Sequence, residues 1–259
     1  MKADMVKISS VIICKNEERN IEACLKSIQW VDEIIVVDAE STDRTVEIAK
    51  KYTDKIFIRK WIGFSDQRKF GLEQCTAEWI LPMDADERCT EELKKEILEK
   101  VNSADTKETG FKIPRKSFYR NYWIKYCGWY PGYQTRLFKK NKASVTDRLV
   151  HEGYVVDGEV GVLKNDILHY TISSIKEYIE KINQYSTLQA IEKSKRGPVG
   201  FWDVILRPPA AFLSEYIGRK GFLDGIPGII ICHFNMITNI LTYTKIWEMQ
   251  NSPDNYGDK

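Results

Sequence analysis

The chain has 259 residues, of which 43% are hydrophobic and 29% are charged, and its formal net charge is +2 at pH 7. These proportions are ordinary for a soluble globular protein and exclude a disordered, collagen-like or multi-span membrane protein. A net charge so close to zero gives no reason to expect a nucleic acid as partner. The length allows one large domain, or one domain with an appendage.

The six cysteines are scattered along the chain without a CxxC pair, and the first residues lack the apolar segment of a secretory signal. Both features favour a cytoplasmic protein with reduced thiols over a disulfide framework. None of the cysteines has the spacing of a metal ligand. We therefore expect all six to behave as small apolar residues.

Strands alternate with helices over the first hundred residues. Short apolar, β-branched runs predict buried strands, and apolar residues at helical spacing predict the helices between them. In chain order the predicted elements are a strand at 8–13, a helix at 21–28, a strand at 31–37, a helix at 46–49, a strand at 55–58, a helix at 66–76, a strand at 78–83 and a helix at 93–101. This alternation predicts an α/β fold with a largely parallel sheet flanked by helices.

Polar clusters follow three of these strands, at residues 15–17, 38–43 and 84–86. Ligands of such sheets bind beyond the carboxyl ends of the strands, but the chain has neither GxGxxG nor GxxxxGK[ST]. An acidic strand end repels a phosphate unless a divalent cation, which prefers carboxylate oxygen, lies between them. Asp84 and Asp86 point the same way if the segment is extended. The alternative is a solvated acidic turn that caps the next helix.

Three strings, VIICKNEERNIEACLKSI, EIIVVDAESTDRTVEIAKKY and AEWILPMDADE, together resemble glycosyltransferase family 2, which has the GT-A fold. This resemblance covers residues 6–115. The later strings GWYPGYQTRLFKK, VHEGY and RPPAAFLSEYIGRKGFLDGIPG resemble bacterial enzymes that add glucose or a related sugar to the lipopolysaccharide or lipooligosaccharide core. The resemblance implies an inverting, metal-dependent enzyme that moves a sugar, expected to be glucose, from a UDP-sugar to a hydroxyl of such a glycan.

The same resemblance implies roles for individual residues. Glu17 and Asp38 would contact the ribose and the uracil of the donor, respectively. Asp84 and Asp86 match the DxD pair, in which Asp86 would ligate Mn²⁺ or Mg²⁺ and Asp84 would lie beside the ribose and the metal. His169 would complete the metal shell, although a histidine there is also typical of a satisfied core residue. Further donor contacts are expected at Gln67, Arg68 and Lys69.

An inverting enzyme needs one carboxylate opposite the leaving group to take the proton of the acceptor hydroxyl. The Glu-Asp base motif that is frequent in the family is absent, and His151-Glu152 is its nearest counterpart. We therefore predict Glu152 as the catalytic base, with Asp147 as second candidate and His151 at the acceptor pocket. The alternative for Glu152 is a surface turn residue paired with Arg148.

Eight aromatic residues lie between positions 118 and 133. The apolar faces of sugar rings stack on such side chains, and Tyr and Trp keep a polar tip for hydroxyl groups. We therefore expect this segment to form the acceptor side of the site, with Trp129 and Tyr130 as contacts. Arg136 would bind an anionic group of the acceptor. The alternative is that half of these rings belong to the core.

Six basic and two acidic residues lie among aromatic and apolar residues at positions 193–220, ahead of an apolar stretch at 226–243. A membrane-spanning helix needs about 20 predominantly apolar residues, and this stretch is shorter and interrupted by polar groups, so we predict no span. The composition fits attachment to an anionic membrane surface. The resemblance implies a lipid-linked acceptor at the inner face of the cytoplasmic membrane and so favours peripheral attachment there. A helical subdomain or a homo-oligomer interface is the alternative.

Two domains are expected: a GT-A nucleotide-sugar glycosyltransferase domain at residues 1–170 and a helical C-terminal region at 171–259. The acceptor is expected to be a lipid-linked or soluble glycan. A related enzyme that acts on a protein or another glycan is one alternative. A non-catalytic protein of the same fold that binds a nucleotide sugar or a carbohydrate is the other.

Overall fold

The computed structural model describes residues 6–146 and 153–252. Within these residues the chain forms two compact units. The first contains residues 6–116, 132–146 and 153–170, and the second contains residues 117–131 and 171–252. The second unit thus takes in most of the predicted aromatic segment as well as the C-terminal helices.

The secondary structure follows the predicted alternation. The strands in chain order are β1 (Ile8–Cys14), β2 (Glu33–Asp38), β3 (Ile56–Ile58), β4 (Trp79–Asp84), β5 (Glu87–Cys89), β6 (Gly110–Ile113), β7 (Arg115–Tyr119), β8 (Tyr122–Trp123), β9 (Gln134–Lys139), β10 (Ala143–Val145), β11 (Tyr154–Val156), β12 (Val160–Val162) and β13 (Ile167–Ile172). The helices are α1 (Ile21–Ser27), α2 (Thr45–Ala49), α3 (Phe64–Gln74), α4 (Glu91–Asn102), α5 (Ile175–Ser194), α6 (Phe201–Leu213) and α7 (Gly225–Asn251). The α/β fold class is confirmed.

The first unit is built on a seven-stranded sheet with the order β12-β6-β9-β4-β1-β2-β3. The strands β1 to β4 pair in parallel, as predicted. Strand β9 runs antiparallel to both β4 and β6, so the complete sheet is mixed. The central strands are buried on both faces, which explains why they are continuous apolar runs without alternation.

Helix α3 packs closely on this sheet because it carries a glycine at the contact. A Cβ atom at Gly71 would lie 2.5 Å from Cγ2 of Val11 and 3.3 Å from Cγ2 of Val37. Only a residue without a side chain allows the helix to approach β1 and β2 this closely. The approach brings the first turns of α3, with Gln67 and Arg68, toward the carboxyl edge of the sheet.

The second unit is mainly helical. Helix α7 packs against α5 and α6, and residues of these helices share a core with the segment around Ile124 and Cys127. Helix α5 begins at a capping residue, Ser174, whose hydroxyl accepts a hydrogen bond from the Glu177 amide at 3.2 Å. Strands β7 and β8 pair antiparallel through Phe118 and Trp123.

The apolar C-terminal stretch is longer than its sequence pattern predicts. Residues Gly221–Asn251 form a helical segment of 31 residues that is long and apolar enough to cross a membrane, by length and composition alone. The argument from length against a span is therefore wrong. One side of α7 nevertheless packs within the second unit, where Ile231 and Ile246 are fully buried.

Candidate active site

The carboxyl ends of β1, β2 and β4 lie side by side at one edge of the sheet. In register, Cys14 of β1 is opposite Asp38 of β2, and Ile13 is opposite Asp84 of β4. Because these strands are parallel, the polar segments that follow them leave the sheet at the same edge, where ligands of such folds bind.

The loops after β1 and β2 are joined by bonds between side chains and backbone. Asn16 accepts a hydrogen bond from the Thr42 amide at 2.8 Å, and the Glu17 amide donates to the Thr45 hydroxyl at 2.7 Å. The Glu17 carboxylate accepts a hydrogen bond from the Asn20 side-chain amide at 2.8 Å. These bonds hold Glu17, the predicted ribose contact, at the edge of the sheet.

Asp38 is fully buried at the end of β2. Its carboxylate accepts hydrogen bonds from the amide and the hydroxyl of Ser41, at 2.8 and 2.5 Å. The carboxylate therefore fixes the turn that follows β2. Its predicted contact with uracil stays a prediction.

Asp84, at the end of β4, lies between two arginines. Its carboxylate accepts a short charge-assisted hydrogen bond from Arg136, and Arg68 lies 3.9 Å away. Burial alone would raise the pKa of Asp84, but the Arg136 and Arg68 guanidinium groups hold this pKa well below its ordinary value. Asp84 is thus an anion whose charge is balanced within the protein.

Glu87, in β5, completes this buried group of charges and was not singled out from the sequence. Its carboxylate accepts hydrogen bonds from Arg136 at 2.8 Å and from the Asp84 amide at 2.9 Å, and Arg115 lies 3.6 Å away. Burial raises the pKa of Glu87, the Asp84 charge adds to this rise, and the Arg136 charge opposes it. Glu87 therefore orients the backbone of Asp84 and also the guanidinium group of Arg136, which is the partner of the Asp84 carboxylate.

Asp86, in the turn between β4 and β5, lies close to His169 of β13. The distance between His169 Nε2 and Asp86 Oδ2 is 3.3 Å, and both side chains are largely buried. In register, His169 of β13 is opposite Glu87 of β5, and the Tyr170 amide donates to the Asp86 carbonyl at 2.9 Å. The fold thus brings together the two residues predicted as metal ligands, which are 83 positions apart in the chain.

Over residues 6–146 and 153–252, no group of three or more His, Cys, Asp or Glu side chains is arranged to hold a metal ion. From these residues the protein offers Asp86 and His169 as a pair. The predicted base Glu152, the second candidate Asp147 and the predicted acceptor residue His151 lie outside the described residues.

The three predicted donor contacts of α3 have different surroundings, because successive helical residues point about 100° apart. Gln67 is fully buried, and its side-chain amide donates to the Lys60 carbonyl at 3.1 Å. Its side-chain oxygen has no hydrogen-bond partner among the described residues. Arg68 reaches toward Asp84, whereas Lys69 is exposed. Within this set, Arg68 is the residue that reaches the DxD segment.

The predicted acceptor residues divide between the two units. In the second unit, Trp129 packs against the apolar core and Tyr130 makes an edge contact with the Trp123 ring at 5.3 Å. Arg136 belongs to the first unit, where it is 5% exposed and contacts Asp84 and Glu87. Strand β9, which pairs with β4, positions Arg136 for these contacts, and its predicted binding of an acceptor anion stays a prediction.

A model of "Glycosyl transferase family 2" matches residues 9–152. The lipopolysaccharide core biosynthesis glycosyltransferase LpsC of Rhizobium meliloti (strain 1021) is 32% identical over 251 residues, which cover 93% of this chain and 92% of LpsC. An uncharacterized glycosyltransferase of Rickettsia felis (strain ATCC VR-1525 / URRWXCal2) is 34% identical, with 94% of this chain and 90% of the relative covered. The chain belongs to glycosyltransferase family 2, and its fold is GT-A.

A likeness also exists among solved structures. The complex of TarS 1-349 from S. aureus with UDP-GlcNAc is 16% identical, with a TM-score of 0.47, and the match covers 95% of this chain and 92% of that chain.

The low pKa of Asp84 predicts a pH dependence of stability. A carboxylate whose pKa is depressed on folding stabilises the protein above its unfolded pKa, about 4, and this contribution is lost as the pH falls. At neutral pH we expect Asp84→Asn to lower the Tm relative to the natural protein. This gap in Tm should narrow as the pH falls below about 4.

Thermal unfolding followed by circular dichroism across this pH range measures the gap. Asp54→Asn, at an exposed position, is the matched control and should follow the natural protein throughout. A gap that stays constant or widens toward acid pH would show that Asp84 is not stabilised as an anion.

Proposed function

We propose that this glycosyltransferase is inverting and metal-dependent, and that it moves glucose from UDP-glucose to a hydroxyl of a lipopolysaccharide-core or related glycan. The observation that carries the proposal is the pairing of Asp86 with His169 next to a separately neutralised Asp84. The acceptor class is supported by the similarity to LpsC, which spans nearly all of both chains.

The residues at this edge suit a divalent cation. A carboxylate oxygen and an imidazole nitrogen that face each other at 3.3 Å are both common metal ligands, and the nitrogen favours Mn²⁺ over Mg²⁺. Cations at phosphate sites are commonly bound by one or two protein groups together with the phosphates of the substrate. Asp86 and His169 would hold the cation, which, when bound, neutralises charge that develops on the leaving diphosphate.

The other residues of this edge would bind and orient the donor. Glu17 and Asp38 would contact the nucleoside, because Glu17 follows β1, which pairs with β4, and Asp38 ends β2, the next strand along the sheet. Gln67, Arg68 and the exposed Lys69 would add donor contacts. Arg136 and Glu87 hold Asp84 in place, so that its position is set before the donor arrives.

Glu152 would take the proton of the acceptor hydroxyl as that oxygen attacks C1 of the sugar, and the bond from C1 to the diphosphate breaks on the opposite face. The configuration at C1 is thereby inverted. On the acceptor side, Trp129 and Tyr130 would offer rings for the sugar, and His151 would contribute to the acceptor pocket. We place the reaction in the cytoplasm, at the inner face of the membrane that carries a lipid-linked acceptor.

We expect Asp86→Ala to abolish UDP binding that depends on Mn²⁺, as well as sugar transfer, because the carboxylate ligand is lost. His169→Ala should raise the Mn²⁺ concentration for half-maximal UDP binding by at least about tenfold, the loss expected when one ligand interaction is removed. Isothermal titration calorimetry with Mn²⁺ and UDP measures binding. UDP release from UDP-glucose and other UDP-sugars, with and without lipopolysaccharide-core acceptors, measures transfer.

Asp54→Ala, at an exposed position in the same unit, is the control for these variants and should leave both measurements unchanged. Transfer by Asp86→Ala at the natural rate would contradict the metal site. Nucleotide binding without transfer to any acceptor would instead favour a non-catalytic binding protein.

Glu152→Gln separates the base from the donor site. We expect UDP binding to be unchanged and kcat to fall by about 10²- to 10⁴-fold, because the amide cannot take the proton of the acceptor. Steady-state kinetics with saturating donor give kcat, and calorimetry gives the affinity for UDP.

Glu159→Gln, at an exposed glutamate of the first unit, is the matched control and should keep the natural kcat. Weakened UDP binding with a normal kcat in Glu152→Gln would remove Glu152 as the base.

A further inference from the structure

Helix α6 exposes large apolar side chains along one face. Phe201 and Trp202 are 69% and 67% exposed, and Ile205, Leu206 and Leu213 are each at least half exposed. Residues 202, 206, 209 and 213 follow one another at intervals of three or four, which places them on one side of a helix. The exposed row continues after α6 at Ile217, Phe222, Leu223 and Ile226. We call the exposed residues of this row the α6 surface.

The neighbouring face of α6 is also apolar and is already used by the protein. Val204 and Phe212 pack against the apolar clusters of the second unit, and Pro208 is buried. Asp203 and Arg207 occupy the remaining side of the helix. The buried face already accounts for the apolar face that a surface helix normally has, so the exposed row is additional to it. We therefore expect the α6 surface to contact a binding partner, because an exposed patch of this kind marks a site of interaction.

The charges around this surface have one sign. Across residues 195–226, all of which the structure describes, the exposed charged residues are all basic: Lys195, Arg196, Arg207, Arg219 and Lys220. The acidic residues of this range are half-buried. Asp203 accepts a hydrogen bond from Arg207 at 2.6 Å, and Asp224 accepts hydrogen bonds from the amides of residues 125 and 126. The third, Glu215, has a raised pKa because of burial.

We propose that the α6 surface binds the face of an anionic lipid bilayer, with its apolar side chains inserted at the headgroup boundary and its cations against the lipid charges. This proposal rests on the proposed function, since a lipid-linked acceptor lies in that bilayer. A second copy of the chain fits less well, because a two-fold interface brings each patch against itself and sets cations against cations. The packed side of α7 is occupied by α5 and α6.

Vesicle flotation of the full chain tests the proposal. We expect the natural protein to float at low salt with vesicles that contain phosphatidylglycerol, and to float poorly with pure phosphatidylcholine or at high salt. Trp202→Ser/Leu206→Ser should lower the partition coefficient by more than about tenfold, because two large apolar side chains no longer enter the lipid. Arg219→Gln/Lys220→Gln should lower it by about fivefold per cation at low salt.

Matched controls come from the first unit. Val162→Ser replaces an apolar side chain that is as exposed as Leu206, and Lys50→Gln/Lys51→Gln removes an exposed adjacent pair of cations. Both controls should float as the natural protein does. UDP release from UDP-glucose in vesicle-free solution should be the same in the α6 variants, so a failure of the donor site is distinguished from a failure of the surface.

Three results would overturn the proposal. The first is a natural protein that stays at the bottom of the gradient with anionic vesicles at low salt. The second is flotation that is indifferent to lipid charge and survives both high salt and alkaline extraction, which indicates a membrane-spanning α7. The third is a dimer in light scattering that Trp202→Ser/Leu206→Ser dissociates while flotation is unchanged.

Discussion

A buried guanidinium group allows the acidic end of β4 to exist inside a packed fold. Arg136 is almost completely buried and lies between the carboxylates of Asp84 and Glu87. Removal of such a cation leaves buried carboxylates without compensation, which costs about 3–5 kcal/mol. Because the balance of charge is internal, this segment keeps its shape whether or not a metal ion is bound. The geometry of the segment from Asp84 to Glu87 depends on this one cation.

The same cation separates the roles of the two aspartates of the DxD segment. Asp84 contacts two arginines, whereas Asp86 faces the imidazole of His169. The residues are two positions apart, yet the turn between β4 and β5 gives them different neighbours. The two carboxylates of this acidic pair are therefore not equivalent: one is held by arginines and the other faces an imidazole.

How well a feature can be predicted from the sequence depends on how far apart in the chain the interacting residues lie. The parallel strands β1 to β4 were predicted to within two residues, because β-branched runs and their polar ends are local signals. Strand pairing is not local: β9 returns to β4, and Arg136 contacts Glu87, which lies 49 positions away in the sequence. The polar residues of α7 were interpreted as interruptions. Asn239 and Thr242 instead hydrogen-bond to carbonyls one turn earlier, at 2.9 and 2.7 Å, so the helix continues through them.

The net charge is close to zero because acidic and basic residues in different parts of the chain cancel in the sum. At the strand edge, the half-buried Asp84 and the buried Glu87 pair with the buried Arg136, and salt screens such pairs only weakly. Across residues 195–226 the exposed charges are basic, and a salt-filled solvent screens them within about 10 Å. A rise in ionic strength therefore affects the two regions differently. It leaves the ion pairs at the strand edge intact, and it weakens the attraction of the basic residues to an anionic surface. The proposed binding of a donor through a metal ion and the proposed docking on anionic lipid are thus both compatible with a net charge of +2, because neither interaction depends on the total.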